Sequence, residues 1–169
     1  MADGQGVSRR EVLQALGVLG VAAVAGGATV NPGTVHAQAP GAPALGAQES
    51  VEDGLKRVFG SRALKDGVGA VKLDVPLIAE NGAVVPVTVE VTSPMTAANH
   101  VKHIYVIADR NRIPIVTRVA FTPEAGLAYM GENIRLGETG DVRAIAELSD
   151  GTLLQVKREV KVTVGGCGG

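Results

Sequence analysis

The sequence predicts an all-β protein, a two-layer sandwich of about seven short strands with a short N-terminal helix and a flexible C-terminal arm. Three observations predict it. From Val71 onward the apolar residues recur with a period of two, most plainly at Val85, Val87, Val89 and Val91. Turn residues break that pattern at regular intervals, at Asn81-Gly82, Asp109-Arg110-Asn111-Arg112 and Ser149-Asp150-Gly151. The apolar fraction of 46 % is enough for one core, and with two Phe, two Tyr and no Trp that core must be aliphatic. Strand number and spacing suit an immunoglobulin-like sandwich. The Cys…Trp…Cys pattern of antibody domains is absent, so only the architecture is implied.

Charge excludes some classes of function. The 169 residues carry 16 basic and 17 acidic side chains, a net charge of -1. That balance offers no basic patch for nucleic acid and no acidic tail. A single cysteine rules out an internal disulfide framework and leaves a free thiol or an intermolecular bond.

Residues 1–37 read as a targeting segment. Ser8-Arg9-Arg10 precedes an Ala- and Gly-rich apolar run from about Val12 to Val30, and Val35-His36-Ala37 supplies a small-residue cleavage site before Gln38. The Arg9-Arg10 pair with Leu13 resembles a twin-arginine export signal, with Val12 and Gln14 departing from its strongest form. The general secretory route and a retained membrane helix are the alternatives. Twin-arginine export carries folded cargo, which gives a small protein a reason to bind a partner before it leaves the cytoplasm. The expected location is the periplasm.

Residues 38–49 form a Pro/Ala/Gly linker, and a domain over 50–164 follows. Ser50 can cap a helix whose first turn holds Glu52 and Asp53, acids suited to a helix N-terminus. Val51, Leu55, Val58 and Phe59 share one face of it, and Gly60 can stop it; the helix is expected to pack over a sheet. Val71, Leu73 and Val75 alternate with Lys72 and Asp74, and Pro76 suggests an edge strand or bulge. Asn81-Gly82 signals a tight hairpin turn into the valine strand. Further strands are expected over 101–108, 113–121 and 127–136, and a final hairpin over 142–148 and 152–164.

Most side-chain constellations carry little chemistry. His100 and His103 are three apart at a strand start, so they face opposite ways and no metal site is expected. Arg110, Arg112 and Arg118 gather around one turn, as an anion-steering group or a solvated hairpin tip. Asp141, Glu147 and Asp150 show no paired-carboxylate spacing, and no glycine run matches a phosphate loop. No cofactor is expected, and the domain offers no machinery for making or breaking a bond.

The exception is the arm over 165–169, Gly165-Gly166-Cys167-Gly168-Gly169. Glycine contributes no side chain to a core, so the only thiol sits on a thin thread. Three residues beyond Val164 carry Cys167 on the order of 10 Å from the last strand. Nothing in the arm activates the thiol, since Lys161 is six residues back and no His adjoins it. A free cysteine titrating near ~8.5 is only a few per cent thiolate at neutral pH. Activation therefore falls to whatever the arm enters, which describes a covalent carrier rather than an enzyme.

This arm, the twin-arginine leader and the segment Lys72 to Val87, including Asp74-Val75-Pro76-Leu77 and Glu80-Asn81-Gly82, resemble the SoxY family of sulfur carriers over essentially the whole chain from about Ser50. The resemblance implies an immunoglobulin-like fold and Cys167 as the covalent attachment site. It implies a heterodimer with SoxZ and transient docking to three enzymes. The haem enzyme SoxXA would couple thiosulfate to the thiol, SoxB would release sulfate, and a sulfur dehydrogenase would oxidise the remaining sulfane sulfur. Two rivals stay open: a thiocarboxylate carrier of the β-grasp type using Gly168-Gly169, and a structural sandwich cross-linked through its cysteine.

Overall fold

The computed structural model describes residues 47–166. The leader with Arg9 and Arg10, the cleavage site at Ala37 and Gln38, most of the linker, and Cys167, Gly168 and Gly169 lie outside the described residues.

The first element is helix α1, Val51–Phe59. Ser50 caps it, its hydroxyl accepting the Asp53 N–H at 3.1 Å, and Glu52 and Asp53 occupy the first turn. Gly60 ends it with φ 64°, a backbone region that glycine enters without a Cβ penalty, and its N–H donates to the Lys56 carbonyl at 2.8 Å. One face of α1 packs through Phe59, with Val51, Leu55 and Val58, on Tyr105, Ile107, Ile145 and Leu153.

Among the described residues nine strands follow: β1 Leu64–Asp66, β2 Val71–Asp74, β3 Ile78–Ala79, β4 Val85–Val91, β5 Val101–Ala108, β6 Ile115–Ala120, β7 Ala128–Ile134, β8 Gly140–Leu148 and β9 Leu153–Val162. A short 3-10 turn at Pro123–Ala125 separates β6 from β7. One sheet runs β1-β9-β8-β5-β6, with β3 also on β9; the other runs β2-β4-β7. The two layers enclose an aliphatic core, in which Val85, Val87, Val89 and Val91 meet Val101, Ile104, Val106, Val142, Ala144 and Val160.

The all-β sandwich stands, with two more strands than the about seven that the alternation predicts. The additions, β1 and β3, are three and two residues long, too short to show a period. Both pair in parallel with β9, Leu64 opposite Leu153 and Ile78 opposite Lys161. The expected first hairpin also changes. β2 and β4 do pair antiparallel, Val71 opposite Val91, but Asn81-Gly82 is not a tight turn between them. The connection first crosses to the other sheet to lay β3 against β9.

The central strands β5 and β8 depart from simple alternation. Ile104 to Ala108 and Ala144 to Glu147 are buried without a break, because α1 covers the outer face and the second sheet the inner one. Continuous burial of that kind is what a strand covered on both faces shows. Phe59 anchors the outer cover, its ring edge-on to Tyr105 with centroids 4.8 Å apart. Phe59→Ala is expected to lower unfolding free energy by about 3–5 kcal/mol in a urea titration, through lost burial and the cavity left under α1.

Candidate functional site

The site begins where β9 ends. Beyond Val162 the chain does not leave the domain at once. Thr163 donates its N–H to the Ala79 carbonyl at 3.1 Å, and its hydroxyl donates to the Glu80 carbonyl at 2.9 Å. The Val164 carbonyl accepts the Gly82 N–H at 2.7 Å, and the Gly166 N–H donates to the Leu136 carbonyl at 3.0 Å. Gly82 in turn accepts from the Leu136 N–H at 2.7 Å. Three backbone segments, 79–82, 136–137 and 163–166, thus meet at one point.

Only glycine allows that approach. A Cβ on Gly82 would clash with the Leu136 carbonyl oxygen and come within 2.8 Å of the Gly166 nitrogen. A Cβ on Gly166 would lie 2.6 Å from the Gly82 oxygen and 2.7 Å from the Ala83 nitrogen, and one on Gly165 would clash with the Gly137 oxygen. Asn81-Gly82, which reads as a hairpin signal, here serves a different purpose. The Asn81 Oδ1 accepts the Ala83 N–H at 2.8 Å to bend the chain, and Gly82 clears room for the arm.

The first two glycines of the arm therefore lie against the domain, Gly166 buried, rather than projecting freely from Val164. Cys167 is one peptide from that anchored residue, about 3.8 Å between Cα atoms. Asn111 supports the site from behind, donating through Nδ2 to the Arg135 carbonyl at 2.7 Å and accepting the Gly137 N–H at 3.0 Å. It is buried, and it holds the 135–137 loop in place. Nothing in the sequence marks Asn111 beyond its turn position, because its two partners lie at separations of 24 and 26 residues. Leu77, Ile78, Val84 and Val164 are exposed apolar side chains on the strap that carries β3 and on the arm root.

A separate charged cluster lies on the outer face of the larger sheet. His103 and Glu147 are paired across β5 and β8, His103 Nδ1 lying 2.9 Å from a Glu147 oxygen whose neighbour accepts Arg62 Nη1 at 2.7 Å. The Tyr105 hydroxyl donates to the same carboxylate at 3.3 Å, and Arg118 Nη2 lies 2.6 Å from His103 Nε2. Burial alone would raise the Glu147 carboxyl; the Arg62 and His103 hydrogen bonds outweigh it and hold the group below its usual range. Burial, together with the Glu147 charge, pushes the Tyr105 hydroxyl up. His100 has a different partner, the Thr96 carbonyl at 3.1 Å. The three arginines of the β5–β6 region also part company: Arg110 packs its stem over Gly140, Arg112 accepts the Glu49 N–H through its carbonyl, and Arg118 sits over the Tyr105 ring. Among the described residues no group of three His, Cys, Asp or Glu is placed to hold a metal ion.

The Glu147 cluster predicts an acid limb. Its folded pKa is lowered, so its contribution to stability is complete above the ordinary glutamate value of 4.5 and is lost as pH falls through the lower folded value. Glu147→Gln should therefore be less stable than wild type at neutral pH and converge on it in acid, as read by denaturant midpoints across that range.

Comparison with known proteins agrees with this architecture. The sulfur carrier protein SoxY from Chlorobium limicola f thiosulfatophilum superposes with a TM-score of 0.57 at 29 % identity, over 68 % of this chain and 97 % of that chain. The superoxide reductase (neelaredoxin) E23A from Ignicoccus hospitalis is a weaker likeness, with a TM-score of 0.49 at 24 % identity over 55 % of this chain and 79 % of that one. No curated protein matches the chain. The family profile described as sulfur oxidation protein SoxY matches residues 55–167, from α1 to the thiol itself, and the chain belongs to the SoxY family.

Proposed function

We propose that this protein is an exported sulfur carrier that binds thiosulfate-derived intermediates covalently on Cys167 and presents them to partner enzymes. The observation that carries the reading is a family match that runs into the arm and ends on the only cysteine of the chain. The carrier named in the Chlorobium structure supports it.

The chemistry asks little of the domain. Joining the Cys167 sulfur to the outer sulfur of thiosulfate releases a proton and two electrons, so it needs an electron acceptor; SoxXA, a haem enzyme, is the partner proposed for it. Adding water to the resulting thiosulfonate releases sulfate and a proton and leaves a persulfide on Cys167, the step proposed for SoxB. Oxidation of that sulfane sulfur belongs to a sulfur dehydrogenase. In each step this chain holds the sulfur and positions it, and the reacting groups come from the partner. The heterodimer partner proposed is SoxZ. The exposed apolar side chains around the arm root support an assembled state, because apolar surface next to a working group is commonly covered in a complex. The twin-arginine motif at Arg9-Arg10, with cleavage between Ala37 and Gln38, supports delivery to the periplasm. Among the described residues no helix is long and apolar enough to cross a membrane.

Intact-mass measurement of the exported protein tests the reading. Sulfur-bearing adducts that reducing agent removes are expected, and Cys167→Ser should lose all of them. A cysteine-linked dimer as the main species, or a mass gain retained in Cys167→Ser, would overturn it.

Truncation after Val164 gives a second check. It removes the hydrogen bond from Gly166 to Leu136 but keeps those of Thr163 and Val164, so unfolding free energy should fall by only about 0.5–1.5 kcal/mol. Sulfur transfer should be abolished. A truncated chain that fails to fold would make the arm a structural element.

A further inference from the structure

We propose that Gly82, Leu136 and Gly137 form a backbone latch for the root of the arm, and that Gly82 is a positioning residue for Cys167. The latch rests on the described residues alone. Its purpose, the delivery of a sulfur-bearing thread, rests on the proposed function.

The slot is made almost entirely of peptide groups. Gly82 donates to Val164 and accepts from Leu136, and the carbonyl of Leu136 accepts from Gly166, so one glycine links the arm root to the opposing loop. No side chain at 82, 165 or 166 fits the space, as the Cβ contacts show. Asn111 braces the far wall by holding both Arg135 and Gly137. The Thr139 hydroxyl accepts the Val162 N–H at 2.9 Å and ties the end of β9 to the same loop.

This arrangement gives the tether two lengths. With Gly166 seated, the thiol-bearing residue is one peptide from a fixed point. With residues 165 and 166 released, the thread gains two residues, about 7 Å of reach. Among the described residues, two backbone hydrogen bonds, at Val164 and Gly166, and little side-chain burial hold the root, so a docking partner can open the slot at modest cost. A seated root fixes the point from which the rest of the arm starts, beside Gly82 and the carbonyl of Leu136. A released arm can enter a deeper active site.

The experiment is electron paramagnetic resonance of a nitroxide attached to Cys167 in the full chain, where it is the only cysteine. The wild-type spectrum should contain a slow-motion component. Gly166→Ala and Gly165→Ala should each remove it and shorten the rotational correlation time by roughly threefold or more, with the unfolding midpoint of the domain shifted no further than by truncation after Val164. Gly82→Ala should do the same, but it also crowds the Leu136 carbonyl, so the arm-side variants decide. A wild-type spectrum already at the fast limit, or a Gly166→Ala spectrum that superimposes on wild type, would overturn the latch. The readout does not depend on sulfur chemistry. An immobilised label in a protein that never acquires sulfur adducts would therefore leave the latch standing and remove the carrier reading.

Discussion

The rest of the structure depends on how the outer edge of β9 is covered. β9 pairs along one side with β8 over most of its length, from Glu147 opposite Leu153 to Gly140 opposite Val160. Left alone, its other side would present a row of unpaired peptide groups at the end of the domain. Two short parallel strands cover its two ends: β1 on its first residues and β3 on its last. The second of these has a consequence for the arm. To place Ile78 and Ala79 beside Lys161 and Val162, the connection between β2 and β4 must cross from one sheet to the other. That crossing brings Gly82 beside the root of the arm.

Fold and site are thus joined through backbone rather than through side chains. Charged networks hold the outer face, where Glu147 gathers His103, Arg62 and Tyr105, and where Arg143 clasps Asp109 through paired nitrogens at 2.6 and 2.7 Å. These networks flank the contact between α1 and the larger sheet. The arm root has no such partners. It is held by peptide hydrogen bonds and by the absence of three Cβ atoms, a combination that orders a glycine thread without giving it a side chain to lose on release.

Such a mount fits the carrier role proposed for the chain, in which partner enzymes act on the arm. In that proposed role, several enzymes of different shape could share one carrier only if the part that enters them is narrow and the part that stays outside is rigid. The double cover on β5 and β8 provides the rigidity, since side chains buried on both faces of a strand leave it little freedom to shift.

Period-two alternation, cap residues and turn chemistry are local, and they were legible in the sequence: the sandwich, α1 with Ser50 and Gly60, the valine strand, and the glycine-flanked thiol. The family likeness was legible for the same reason, being carried by contiguous segments. Long-range pairing was not. Nothing in Leu64-Lys65-Asp66 or Ile78-Ala79 announces a strand, because a run of two or three residues has no period. Asn81-Gly82 looked like a hairpin because that dipeptide favours a tight turn, yet tertiary structure used its glycine for close approach. Glu147 could not be matched to His103, nor Asn111 to Gly137, while only sequence distance was known. The sequence by itself determined that a single thiol rides on glycines behind a β-sandwich. Only the tertiary structure decided where the thread begins, because that depends on which distant backbone groups lie within hydrogen-bond reach of Val164 and Gly166.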